Sequence, residues 1–189
     1  MQVKKARWVR ELIHLFYFGV QIYMLKIVNI SDIYLNYLSN VDNRVPKEHI
    51  NSKRRPFAGV LLTVDRTKYF APLSSPKPKH KRLSNKSLDV FKLKDGELGI
   101  VNLNNMIPVC DKAIIEFDIN NLPDKDIKDM QYKTLLQEQV REIRKHEVRI
   151  IKKAKILYQQ VIYKRCSDSL TERCCDFIKL EAAAKEYRV

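Results

Sequence analysis

The run Phe57-Ala-Gly-Val-Leu-Leu-Thr-Val64, Asp65-Arg-Thr67, Lys68-Tyr-Phe-Ala-Pro-Leu73 places two apolar segments on either side of a short polar turn. Its β-branched and aromatic content predicts two strands, 57–64 and 68–73, joined as an antiparallel hairpin. Gly59 reads as a bulge or a point where another chain segment comes close. The hairpin ends at Ser74-Ser-Pro-Lys-Pro-Lys79. Two prolines there withhold amide donors, so this segment is not the interior of a sheet.

Upstream, Leu25, Ile27 and Ile30 predict a short strand, and Ser31 an N-cap for a helix over Asp32–Leu38. Residues 42–46 read as a turn and 47–55 as a polar loop. Downstream, strands are expected at Val90–Leu93, Gly99–Leu103, Ile107–Val109 and Ala113–Phe117. From Lys125 to Arg165 the composition is helical, without Gly or Pro, and His146-Glu147 is a candidate turn between two helices. A last helix is expected over Leu170–Tyr187, supported by Ala182, Ala183 and Ala184. Strands first and helices second give an α+β fold.

Charge narrows the function. The 189 residues hold 36 Lys and Arg against 22 Asp and Glu, a net charge of +14. Such a balance favours a polyanionic partner, because each neutralised phosphate releases counterions. The length suits one domain with its own core. Cys110, Cys166, Cys174 and Cys175 form no CxxC pair and have no clustered histidines, so no metal site is expected and the cysteines read as reduced packing residues. Cofactors are expected to be none.

The N-terminus carries Lys4, Lys5, Arg7 and Arg10 before an apolar stretch from Leu12 to Val20. It is interrupted by His14, lacks a small-residue cleavage site, and falls short of the roughly 20 residues needed to span a bilayer. We expect residues 1–23 to be an upstream extension, the natural start to be Met24, and a single domain to cover 24–189. A membrane-associated protein is the reading that these first residues alone would motivate.

The basic residues cluster. Lys53, Arg54 and Arg55 stand just before the first hairpin strand, and Lys77, Lys79, Lys81, Arg82 and Lys86 follow the second. Antiparallel pairing brings both groups to one end of the hairpin, with Ser74 and Ser75 among them. Hydroxyls and fixed cations around one point suit a phosphate. RNA cleavage fits such a place, since the ribose 2′-hydroxyl is its own nucleophile. The protein then needs in-line alignment and stabilisation of the phosphorane oxygens. Arg55 and Lys77 suit the charge, Ser74 and Ser75 the oxygens, and Lys77 the donor role if burial among cations lowers its pKa. His49 and His80 lie near as proton-transfer candidates. On these residues alone, a loop that binds phosphate without cutting is an equal reading. The alternative function is therefore a non-catalytic RNA- or DNA-binding regulator. The helical cations Arg141, Arg144, Lys145, Arg149, Lys152 and Lys153 are either a solvated face or a further RNA grip.

Read together, Ser31–Leu38, Asp42–Pro46, Arg55–Leu62 and Lys68–Lys77, with Ala71-Pro-Leu-Ser-Ser-Pro-Lys77 at the centre, resemble the ToxN/AbiQ family of endoribonuclease toxins of type III toxin–antitoxin systems. Phe91-Lys-Leu93, Leu98–Pro108 and Cys175-Asp-Phe177 continue the resemblance in order. It implies a compact, twisted, mostly antiparallel sheet with surrounding helices, related to the Kid/MazF toxins. It implies a cytoplasmic, metal-independent ribonuclease that leaves a 2′,3′-cyclic phosphate and serves abortive defence against phage. Cellular and phage RNA would be substrates. An RNA pseudoknot antitoxin, trimmed by the toxin from a precursor, would inhibit it in a cyclic toxin–RNA assembly, with no membrane involved. Carried over by position, Ser74, Ser75 and Lys77 are the catalytic segment, Arg55 the basic residue before the strand, and Tyr34 an active-site tyrosine. Lys53, Arg54, Lys79, Lys81, Arg82, Lys86, Arg144 and Lys145 are expected RNA contacts. Arg55 stands where some relatives have lysine; arginine donates protons poorly, so its expected role is charge stabilisation. The loop before it lacks a relative's tyrosine, which leaves the general base unassigned, with His49 as a candidate.

Overall fold

The computed structural model describes residues 25–46, 49–50 and 53–188, with positions 49, 50 and 53 described by backbone alone. The expected extension over residues 1–23 and the start at Met24 lie outside the described residues. β1 (Lys26–Ile30) leads into α1 (Asp32–Val41). Ser31 precedes α1, but its hydroxyl makes no cap; its carbonyl accepts from Leu35 N at 2.9 Å instead. The expected polar loop at 47–55 contains a small ladder, β2 (His49–Ile50) paired with β3 (Lys53–Arg54).

The hairpin forms as expected, from β4 (Phe57–Val64) and β5 (Thr67–Ser74). Its turn is two residues rather than three. Asp65 and Arg66 both take positive φ, 45° and 70°, and Val64 pairs with Thr67. A turn of this hand matches the twist of the strands it joins. The register shifts between Gly59 and Thr63, and a Cβ at Gly59 would run into the Phe70 ring, so Gly59 is indeed a close-approach point.

A short helix follows, α2 (Pro78–Arg82), then β6 (Val90–Lys92), β7 (Ile100–Asn102), β8 (Ile107–Val109) and β9 (Ile114–Glu116). All pairings are antiparallel, and the seven-stranded sheet runs β6-β7-β5-β4-β1-β9. β8 joins beside it, pairing with Lys68–Phe70 of β5, while β7 takes Leu73 and Ser74. One edge of β5 is therefore shared by two strands, and its other edge is covered by β4.

The helical half departs from expectation twice. α3 (Ile127–Ile162) is one continuous 36-residue helix, with no turn at His146-Glu147. Its buried positions Leu136, Gln139, Ile143, Ile150, Ala154 and Leu157 recur at steps of three, four and seven. That stripe crosses His146 without a phase break, and no Gly or Pro interrupts it. His146 packs on Phe91, ring centroids 5.9 Å apart, and Glu147 accepts from Leu25 N at 2.7 Å. The expected last helix is broken into α4 (Asp168–Arg173) and α5 (Phe177–Glu186). Cys174 and Cys175 between them are buried, Cys175 N donates to Asn104 O at 2.8 Å, and Asp176 caps α5 through Lys179 N. Burial and tertiary bonds override the local helical preference here. Burial also pushes both thiols up to about 12, so they are inert packing groups.

α3 lies against β4, and α5 against β8 and α1. Tyr34, Leu38, Phe57, Tyr69, Leu103, Leu157 and Phe177 are fully buried between these layers. Each such side chain contributes roughly 1.5–3 kcal/mol. Among the described residues no helix is long and apolar enough to cross a membrane, and no cluster of His, Cys, Asp and Glu is arranged to hold a metal ion.

Candidate active site

The register of the hairpin sets the site. Phe57 pairs with Pro72, and Leu73 N donates to Pro56 O at 2.9 Å. One step further along the two chains are Arg55 and Ser74, which the ladder carries to the same end of the sheet. The other edge of Ser74 faces Ile100 of β7. Behind it Gly99 has φ +91°, and a Cβ there would collide with the Ser74 carbonyl oxygen. Only glycine allows this approach.

Two amides from distant elements hold Ser74. Asn102, at the end of β7, donates from Nδ2 to Ser74 Oγ at 2.7 Å. Gln139 of α3 is buried, and its Nε2 donates to Leu98 O at 2.6 Å and to Ser74 O at 3.4 Å. Beyond this anchored point the chain turns outward. Ser75, Pro76 and Lys77 are exposed; Lys77 is extended, with φ −139°, and Pro78 opens α2. The prolines end the sheet as expected, but they start a helical turn rather than a plain loop. His80 N donates to Lys77 O at 2.9 Å. An open cleft of ≈ 560 Å³ adjoins the segment, lined by Pro76, Lys77, Pro78, Lys81, Arg82 and Glu97 among others.

Arg55 is half-buried, and burial draws its guanidinium below the usual range. From so high a starting value it remains a cation. His80 is placed differently from the sequence reading. It is 2% exposed and its Nδ1 is buried without a partner among the described residues. Burial first, then Lys77 and Lys79, hold it below the ordinary histidine value, so it sits neutral inside the structure. The side chain of His49 lies outside the described residues.

Tyr34 is a departure from the expected site. It is fully buried, its hydroxyl donates to Pro108 O at 2.9 Å, and its ring packs edge-on to Tyr187 at 4.8 Å. Pro108 pairs with Tyr69, and the five residues from there to Ser74 span roughly 17 Å of strand. Burial pushes the Tyr34 hydroxyl far above its usual range, so it keeps its proton. It is a core tyrosine with a satisfied hydroxyl.

The expected RNA contacts divide. Lys79, Lys81 and Arg82 of α2 and Lys86 after it are exposed beside Lys77. Arg54 is tied to Asp32 of α1 at 3.1 Å, and the side chain of Lys53 lies outside the described residues. Arg144 and Lys145 are exposed on α3, with Lys145 3.4 Å from Glu142. Lys145 also lines a second depression with Lys92, Lys94, Arg149 and Lys153, the last two lying 5.7 and 5.9 Å from the Phe91 ring centre. The residues that sequence reading missed are Asn102, Gln139 and Gly99 as supports of Ser74. Asn102 and Gly99 lay inside the familiar stretch Leu98–Pro108, but nothing local marks an amide that acts 28 residues away.

Comparison with known proteins gives the family of the chain. The family model described as Toxin ToxN, type III toxin-antitoxin system, matches residues 26–185. The endoribonuclease ToxN of Bacillus thuringiensis subsp. kurstaki is 32% identical over 167 residues, covering 86% of this chain and 84% of that protein. The endoribonuclease ToxN of Pectobacterium atrosepticum is 36% identical over 118 residues, covering 59% and 69%. A solved structure from work on selective toxin inhibition by a non-coding RNA pseudoknot matches with TM-score 0.71 and 31% identity, covering 87% of this chain and 98% of that one. AbiQ, a lactococcal anti-phage endoribonuclease of the type III class, matches with TM-score 0.72 and 25% identity, covering 86% and 97%. With its seven-stranded antiparallel sheet, its flanking helices and a match running from β1 almost to the end of α5, the chain belongs to the ToxN toxin family of type III toxin–antitoxin systems.

Proposed function

We propose that this chain is an endoribonuclease toxin that cuts RNA without a metal, by in-line attack of the 2′-hydroxyl, from the segment Ser74–Lys77 with Arg55. The observation that supports the reading is the β4–β5 register, which carries Arg55 to the end of the sheet where Ser74 opens the segment to Lys77. Ser74 and Ser75 donate hydrogen bonds to the non-bridging oxygens, and Arg55 and Lys77 offset the charge that grows on them. Lys77 is exposed at the head of α2 rather than buried among cations as the sequence reading required; its ammonium still carries a proton that the leaving 5′-oxygen can take. The product left on the RNA is a 2′,3′-cyclic phosphate.

An RNA pseudoknot is the inhibitor in this reading, and the exposed cations of α2 and α3 grip its phosphates in a cyclic assembly. Cellular and phage RNA are the substrates, and the cytoplasm is the place of action. We read the sheet as a relative of the Kid/MazF toxins, and residues 24–189 as one domain starting at Met24.

The test compares wild type with Ser75→Ala, both expressed from Met24 and incubated with total RNA in EDTA. Wild type is expected to leave cyclic-phosphate ends, and the variant to be slower by about 10²–10³. Equal cleavage by both detaches the chemistry from Ser75. RNA bound but uncut by both makes this a binding protein.

A further inference from the structure

The amide of Asn102 has a determined orientation. Its Nδ2 lies 2.7 Å from Ser74 Oγ and 3.4 Å from Pro72 O. A carbonyl only accepts, so the nitrogen edge of the amide faces β5, and the Ser74 oxygen receives a hydrogen rather than giving one. A serine hydroxyl has one proton and two acceptor sites. With one acceptor site taken, its proton remains to donate, and the described residues offer it no acceptor. Gln139 fixes the backbone beneath from an independent direction, so the hydroxyl is held at a set position.

We propose that Asn102 is a positioning residue that commits the Ser74 hydroxyl to donating, and that the group awaiting that proton is a non-bridging oxygen of the scissile phosphate. The inference rests on Ser74 belonging to the ribonuclease site. In the cleavage step the bond from O2′ to phosphorus forms and the bond from phosphorus to O5′ breaks. The 2′ proton leaves to a base or water, and O5′ gains a proton from Lys77 or water. The Ser74 proton stays on Ser74 throughout; its hydrogen bond strengthens as charge builds on the phosphorane. An acceptor in place of Asn102 would capture that proton and turn a lone pair toward the phosphate.

The experiment measures kcat and KM on a fluorescent single-stranded oligoribonucleotide that wild type cuts, for Asn102→Asp, Asn102→Ala, Ser74→Ala and the Ser74→Ala/Asn102→Asp pair, with thermal melting of each. Asn102→Asp is expected to lose about 10²-fold in kcat with KM little changed, as for the loss of a transition-state donor. Asn102→Ala, which frees the hydroxyl to rotate, is expected to lose about tenfold. The pair should be no slower than Ser74→Ala alone. A protonated aspartic acid donates as asparagine does, so the Asn102→Asp rate relative to wild type should rise by up to about tenfold per pH unit on acidification toward the carboxyl range. A plain packing defect would not show that profile.

Asn102→Asp cutting within about threefold of wild type, with Ser74→Ala crippled, overturns the inference and leaves the site intact. Additive losses in the pair also overturn it. Ser74→Ala cutting at the wild-type rate sinks the site assignment and the inference together. Should Asn102→Asp fail to fold, Asn102→Ala decides through a second pair, Ser74→Ala/Asn102→Ala, in which its loss must vanish.

Discussion

The two ends of β5 belong to one strand and are built for opposite purposes. At Lys68–Phe70 the strand is flanked on both edges, by β4 and β8, and Tyr69 packs against α5. Tyr69 is fully buried there, edge-on to Phe177 at 5.9 Å, and its hydroxyl donates to Glu181 at 2.7 Å. Tyr158 of α3 donates to the same carboxylate at 2.7 Å. At Leu73–Lys77 the strand also has partners, but cations crowd it and the chain leaves for solvent after Ser74. The first end closes its polar groups on itself. The second leaves a hydroxyl proton and several cations facing outward, held from behind by amides. A polar group at the first end therefore serves stability, and in the proposed reading a polar group at the second serves a bound anion.

This contrast can be broken at either end. Tyr69→Ala should cost about 3–5 kcal/mol of folding stability, as for a buried aromatic, seen as a large fall in the urea midpoint. A small fall would mean that the covered end is not the core. Lys77→Ala should lower the cleavage rate by about 10²–10³, roughly 3–4 kcal/mol in the barrier, with the melting temperature unchanged. Loss of fold in that variant would erase the distinction between the ends.

Tyr34→Phe sharpens the boundary. It should cost about 1 kcal/mol of stability through the lost bond to Pro108 O, and leave cleavage of total RNA at the wild-type rate. A cleavage defect without a stability defect would return Tyr34 to the site. The smallest effect concerns His80, whose folded pKa lies below its unfolded value near 6.5. The unfolded chain then binds more protons below that pH. Stability should be fully present above about pH 6.5 and decline as pH falls through the folded pKa. Denaturation midpoints of wild type and His80→Gln between pH 5 and 8 check this; the variant should show a flatter curve.

The hairpin was legible in the sequence because β-branched runs and a polar turn are local signals. The same holds for Arg55 and Ser74 lying at one end of the sheet, since antiparallel pairing follows from the hairpin. What failed was settled by partners far along the chain. Leu170–Tyr187 reads as one helix until Asn104 and Asp42 take the amides of Cys175 and Asp176. His146-Glu147 looks like a break until Phe91 and Leu25 are seen to hold both residues in place. Tyr34 matched a site position by alignment of motifs, yet Pro108 and Tyr187 bury it. Asn102 and Gln139 carried no signal, because an amide's use depends on which backbone the fold brings to it.

Gln139 reaches back 65 residues to the carbonyl of Ser74. During synthesis the chain therefore delivers the residues of the proposed site in a fixed order: Arg55, the serines and Lys77, Asn102, and only then the helix that holds the Ser74 carbonyl. A product broken off before residue 139 has the reactive segment without its internal brace, and contacts so distant in sequence form late in folding. For a protein that attacks RNA, this ties the hazard to completion of the chain.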